Sequence, residues 1–196
     1  MAIHLTRIYT RVGDDGTSAL SNFDRVPKYD SRLEAYADVE EANCVLGEVL
    51  ALSSSATGSS LDDGVVTVLQ RVQNELFDCG ADLATPIEEN PKYPPLRVEQ
   101  AYIDRLEQEI DRFNEPLGKL RSFILPGGDL LVAKLHTARV VTRRAERRAW
   151  KAIADYPDTT NPLTAKYLNR LSDLLFVLCR VAADGDEVLW VPGGER

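Results

Sequence analysis

The chain is poor in the side chains from which metal and redox centres are built. Its 196 residues include two histidines, three cysteines and one methionine. Cys44, Cys79 and Cys179 lie far apart beside apolar neighbours and show no CxxC spacing, so they read as buried free thiols of a reducing compartment. Three residues before His136 stands Ala133, so the Glu-x-x-His pattern of a di-iron bundle is missing. No nucleophile, histidine and acid fall into a legible triad, and the Walker A pattern GxxxxGK[ST] is absent. Long apolar runs are missing too: nothing approaches the roughly 18 residues of a spanning helix, and the first residues, MAIHLTRIYTRVGDDG, hold no apolar leader core. The expectation is a soluble, cytoplasmic protein without membrane contact. Positive charge is the scarcer sign, with 23 Lys plus Arg against 31 acidic side chains and a net charge of −8. That balance argues against a nucleic-acid binder or a ligand of anionic membranes.

The remainder is ordinary for a globular protein, with 44% hydrophobic and 28% charged residues, and the length suits a single domain over 1–196. Residues 1–30 are rich in Gly, Asp and Ser and read as a loop, with one short extended stretch at Arg7 to Thr10. Helical periodicity then dominates 31–185, and 186–196 form a tail. Ser31-Arg32-Leu33-Glu34 has the form of a capping box, followed by Leu33, Tyr36, Val39, Leu46, Val49 and Leu50 on one face. After a small-residue linker, Ser53 to Ser60, the series Val65, Leu69, Val72, Leu76, Cys79 and Leu83 alternates steps of four and three. Pro86, Pro91, Pro94 and Pro95 then forbid helix. A third stripe, Ile103, Leu106, Ile110 and Phe113, ends at Pro116 and Gly118. Asp129 caps a fourth, carrying Leu131, Leu135, Ala138, Thr142, Ala145 and Ala149, and Asn161-Pro162 opens a fifth with Leu168, Leu171, Leu175, Leu178 and Ala182 inward. The expected fold is all-α, an antiparallel five-helix bundle preceded by an N-terminal loop.

Against the acidic background one basic concentration stands out. Residues 139–148 hold five arginines and a single glutamate. At about 100° per residue, His136, Arg139, Arg143, Glu146 and Arg147 share one arc bordering the apolar stripe, whereas Arg144 and Arg148 point away. Guanidinium forks suit phosphate oxygens, and they equally suit structural ion pairs between helices or subunits. On the fifth helix Asn169, Asp173 and Arg180 share a polar face with Phe176, either a ligand face or a solvent face with one stray aromatic. The loop Thr10 to Ser18 combines glycines, hydroxyls and carboxylates with Arg11, a composition suited to phosphates and also to a plain turn. Phe123-Ile124-Leu125-Pro126-Gly127-Gly128 delivers an aromatic beside the arginine helix, suited to a large, partly hydrophobic ligand and equally to ordinary packing between the third and fourth helices.

In this order, YTRVGDDGTSAL, RVPK, LEAYADVEEAN, SFILPGG, ARVVTRRAERR and YLNRLSDLLFVLCR resemble the PduO-type ATP:cob(I)alamin adenosyltransferases, also called corrinoid adenosyltransferases, from Tyr9 to Arg180. The resemblance implies a homotrimer with ATP at the subunit interfaces. It implies ATP contacts from Thr10, Arg11, Val12, Gly13, Ser18, Ala19 and Lys28 in the loop. The fourth helix would add Arg143, Arg144, Glu146 and Arg147, and the fifth Asn169. Arg139 would pair with Glu40 of a neighbouring subunit, where Glu40 replaces the family's usual Asp, and Ser18-Ala19 replaces the usual Thr-Gly. Phe123 would displace the lower axial ligand of the corrinoid, and Phe123, Arg139 and Arg143 would carry the catalysis.

The implied reaction transfers the 5′-deoxyadenosyl group of ATP to cob(I)alamin, releasing triphosphate and forming adenosylcobalamin. Mg2+ would accompany ATP, and a flavin-type reductase and an adenosylcobalamin-dependent client enzyme would be partners. The rival reading is a non-catalytic carrier of ATP or cobalamin.

Overall fold

A computed structural model describes residues 8–54 and 60–194. Five helices carry the fold: α1 (Ser31–Ser53), α2 (Asp63–Leu83), α3 (Gln100–Asn114), α4 (Leu130–Asp155) and α5 (Leu163–Ala183). Every expected stripe residue on α2 and α4 is buried. Most polar residues between them face outward, with Glu75, Asp82 and His136 as buried exceptions, so each segment is stable only as part of a bundle. α1 packs against α2 and α4, while α5 packs against α2, α3 and α4.

That central place makes α5 apolar nearly all round. Leu174 and Val177, outside the expected stripe, are buried along with Leu171 and Leu178. Among the buried faces of α4 are Ala138, Ala145, Ala149 and Ala152, whose small side chains let neighbouring backbones approach.

The helix ends explain themselves through named acceptors. Asp129 Oδ1 accepts from Val132 N–H at 2.8 Å, and Asn161 Oδ1 from Leu163 N–H at 3.0 Å, as a cap should. At α1 the cap lies one residue earlier than the Ser31 box suggested: Asp30 accepts from Arg32 N–H at 2.9 Å and also receives the Tyr156 hydroxyl at 2.6 Å. The second contact, from the end of α4, makes Asp30 the better cap. α5 ends with Asp184 and Gly185 at positive φ.

Two segments expected as plain loop or tail have order of their own. Within 1–30, β1 (Thr17–Ala19) pairs antiparallel with β2 (Arg25–Pro27), Ser18 opposite Val26. Residues 8–10 form no strand, and Arg7 lies outside the described residues, as do 55–59 of the small-residue linker. The tail folds back on 122–125. Leu125 N–H donates to Val188 O at 2.8 Å, Trp190 N–H to Phe123 O at 2.7 Å, and Ser122 Oγ to Trp190 O at 2.6 Å.

The proline-rich connection after α2 is pinned by one buried carboxylate. Asp82 Oδ2 accepts from Val98 N–H and from Asn161 Nδ2, each at 2.7 Å, and Oδ1 pairs with Arg97. Asp82→Ala would leave a peptide N–H, an amide and a partly buried guanidinium without their acceptor. We expect urea unfolding to show a loss of about 2–3 kcal/mol, below a fully buried ion pair because Arg97 keeps some water contact.

Candidate functional site

The Phe123 loop, α4, α5 and the tail together enclose a cleft of about 890 Å³ lined by Phe123, Ile124, Arg139, Phe176, Trp190 and neighbours. Phe123 is 78% exposed, so its ring stands in the opening rather than in the core. It meets the Trp190 ring edge-on at 6.1 Å. Phe176 is not a stray surface aromatic, because the Arg139 guanidinium carbon lies 6.0 Å from its ring centroid. The cleft lining therefore combines three aromatic rings with the positive charge of Arg139, which lies against one of them. Arg180 departs from the expected ligand face: it is buried, donating to Gly118 O at 2.8 Å and to Glu187 at 2.7 Å. Asp173 likewise accepts from Arg170 on its own helix, at 2.7 Å, rather than from an arginine across the bundle.

Behind the loop, His136 is buried near Gly128, Cys179, Arg180, Asp186 and Glu187. Burial, and then the Arg139 charge one turn along, lowers its pKa below the ordinary 6.5. With the folded value depressed, the unfolded chain binds the extra proton first, and stability falls as pH drops below about 6.5. His136→Gln is expected to flatten that acid-side decline in thermal melts, whereas an unchanged decline would assign it to the carboxylates. Burial also raises the thiols of Cys79 and Cys179, the latter to about 12. Cys44 corrects the expectation of three buried thiols, for it is exposed.

The arginines of α4 divide into two groups. Arg144 pairs with Asp38 at 3.3 Å and with Glu41, and Arg148 pairs with Glu34 at 2.6 Å, tying α4 to α1. Arg143 and Arg147 are exposed on the other side, Arg147 donating to the Arg143 carbonyl at 3.0 Å. Arg143 makes no ion pair among the described residues. Glu146 accepts from the Trp150 indole at 3.3 Å. Asn169 is exposed on α5. Glu40 is exposed beside a groove of about 260 Å³ between α1 and α2, with Tyr36, Leu76 and Phe77, and it forms no ion pair with Arg139 within the chain among the described residues.

In the N-terminal segment, Thr10, Arg11 and Val12 are exposed, while Gly13 and Ser18 are half-buried and Ala19 lies at the end of β1. Lys28 N–H donates to Gly16 O at 2.9 Å, and a Cβ on Gly13 would meet the Lys28 ammonium at 3.2 Å. Glycine there lets the lysine lie across the loop. Asp15 accepts from the hydroxyl and N–H of Thr17, which with the nearby Arg25 hold its carboxyl below the usual range. No group of three or more His, Cys, Asp or Glu side chains is placed to hold a metal ion among the described residues.

Residues 8–182 match the family described as cobalamin adenosyltransferase. The chain belongs to that family. The corrinoid adenosyltransferase of Mycobacterium tuberculosis is 58% identical over 196 residues, covering 100% of this chain and 98% of its own. The human corrinoid adenosyltransferase is 37% identical over 183 residues, 91% of this chain and 70% of its own. Among solved structures, a variant PduO-type ATP:corrinoid adenosyltransferase from Lactobacillus reuteri, complexed with cobalamin and ATP, superposes with a TM-score of 0.84 at 32% identity, covering 95% of this chain and 100% of that one.

For this cobalamin adenosyltransferase family member, the matched span includes the loop, Phe123 and the arginine row but stops short of the tail. Trp190, which completes the cleft wall, and Arg25, which grips the N-terminal loop, were missed by sequence reasoning. Arg25 had a signal, since it opens the RVPK segment. A lone tryptophan in an eleven-residue tail gave none.

Proposed function

We propose that the chain transfers the 5′-deoxyadenosyl group of ATP to cob(I)alamin, forming adenosylcobalamin and releasing triphosphate. One observation carries the reading: an aromatic-lined cleft of about 890 Å³ includes Arg139, and Arg143 and Arg147 follow one and two turns along the same helix. In the reaction, the Co(I) electron pair attacks the ribose 5′ carbon, the cobalt–carbon bond forms, and the carbon–oxygen bond to triphosphate breaks. No proton moves at the reacting centre, so no general base is required. The chain's tasks are to align cobalt with carbon and to meet the charge of the departing triphosphate.

Arg143, Arg147 and Lys28 are assigned to that charge, Glu146 to orienting the row, and Asn169 to hydrogen bonding with the nucleoside. Thr10, Arg11, Gly13 and Ser18 close over the phosphates. Arg144 is assigned to the seam with α1, where its acidic partners hold it. Magnesium enters with ATP as part of the substrate, bound chiefly through the phosphates as this ion usually is. A homotrimer completes the site. Its support is an acidic side chain beside an exposed aromatic on one face, Glu40 with Phe77, and a basic one beside an exposed valine on another, Arg139 with Val140. We place the enzyme in the cytoplasm, receiving electrons from a flavin-type reductase and handing product to an adenosylcobalamin-dependent enzyme.

Anaerobic incubation with ATP and chemically reduced cobalamin tests the reading. A spectral change to the alkylcobalamin with one triphosphate released per turnover supports the enzyme. Binding without turnover would favour the carrier, and neither would sink both.

A further inference from the structure

Arg25 is the first residue of β2 and faces Ala19 across the hairpin. Its Nη2 donates to Val12 O at 2.7 Å and to Asp15 Oδ1 at 3.2 Å, and it also reaches Thr17 Oγ1. Nη2 carries two protons for these three acceptors, so one proton is shared between two of them. The Thr17 hydroxyl gives its proton to Asp15 at 2.7 Å, leaving its lone pairs for Arg25, which has only protons to offer. The three acceptors come from both limbs of a turn that needs positive φ at Arg11 (62°) and at Gly16 (80°). One guanidinium thus ties together a backbone carbonyl, a carboxylate and a hydroxyl across the very segment assigned to the phosphates.

We infer that Arg25 is a positioning residue that holds the 11–18 loop in its triphosphate-binding shape before ATP arrives, acting through the loop rather than on the nucleotide. The inference rests on the ATP-binding reading proposed above. Arg25 and Asp15 keep 37% and 62% of their side-chain surface in water, so the pair adds little to global stability. Its consequence is local. A clamped loop has already surrendered the freedom that an unclamped loop must lose on binding. The clamp also offsets the Asp15 charge, which would otherwise stand near a polyanion.

The test measures ATP binding by calorimetry alongside steady-state kinetics. Arg25→Ala is expected to raise both Kd and KM for ATP about tenfold, with kcat changed by less than about twofold and cobalamin affinity unchanged. Arg25→Lys, which can still reach Asp15, should recover part of the loss. Combining Arg25→Ala with Asp15→Asn should cost no more than Arg25→Ala alone, because the two act as one unit. Thr17→Val breaks the same knot from the other side and serves if the first variant folds poorly. Unchanged ATP affinity in these variants overturns the clamp, as does a fall in kcat at constant Kd, which would mean direct contact with the leaving group. A wild-type chain that fails to bind ATP sinks the functional reading instead. In that case tryptic cleavage after Arg11 still judges the clamp: faster cutting in Arg25→Ala supports it, and an equal rate overturns it.

Discussion

Arg143→Ala will reduce adenosyl transfer by about 10²–10³-fold while the helices stay folded. The residue is exposed on α4 and makes no ion pair among the described residues, so its removal leaves no buried charge uncompensated. In the role proposed for it, its cost falls on the transition state, where triphosphate gains charge as the carbon–oxygen bond breaks. Losing one cation facing that charge is worth about 2.7–4 kcal/mol, which converts to the stated rate loss. Arg148→Ala is the matching control. Arg148 lies on the same helix but pairs with Glu34 and, more loosely, Asp38, all at least partly exposed, so its loss should cost under about 1 kcal/mol of stability and leave kcat intact. Wild-type turnover in Arg143→Ala, with circular dichroism unchanged, would remove the residue from the site. Arg143→Lys separates charge from shape: a lysine keeps the charge but loses the planar fork, and partial activity would mean that charge alone does most of the work.

The contrast between Arg143 and Arg148 was legible in the sequence, because helical angle alone sorts arginines onto two faces. The same arithmetic could have corrected Cys44, which lies about 200° around α1 from Leu46 and so opposite the buried stripe. Local chemistry misled where two capping residues stood side by side: Ser31 and Asp30 are both competent, and the choice was made by Tyr156 from a distant helix end. Three-residue strands are too short for a period of two to be read, so the hairpin that carries Ser18 and Arg25 was invisible. Arg180 illustrates the opposite failure. Its spacing put it on a polar stripe, but the chain turns after α5 and brings Glu187 over it, while the loop after α3 supplies the Gly118 carbonyl. The cleft was half legible for the same reason: Phe123 announced itself beside the arginine helix, whereas Trp190 enters through tail pairing that no local pattern encodes.

The second large effect concerns that aromatic. Phe123→Ala should lower turnover from cob(II)alamin by about 10²-fold or more, yet spare most of the rate when the enzyme is given cob(I)alamin prepared beforehand. An axial ligand donating into the metal raises the energy of the orbital that must accept the electron, so Co(II) accepts it readily only after that ligand departs and water is kept away. The exposed ring meets Trp190 edge-on and shares the cleft lining with Ile124, and in the role proposed for it would fill the axial position without any group that binds cobalt. Alanine would leave room for water or the displaced base to return. Because the ring is mostly exposed, its truncation opens no core cavity, and thermal stability should change by less than about 1 kcal/mol. The four-coordinate Co(II) signature should disappear from the absorption and dichroism spectra of the ATP-loaded variant. Equal loss from both oxidation states would instead place Phe123 in substrate binding or alignment, and an undiminished four-coordinate signal would transfer the role to Phe176 or Trp190, the other rings lining the cleft.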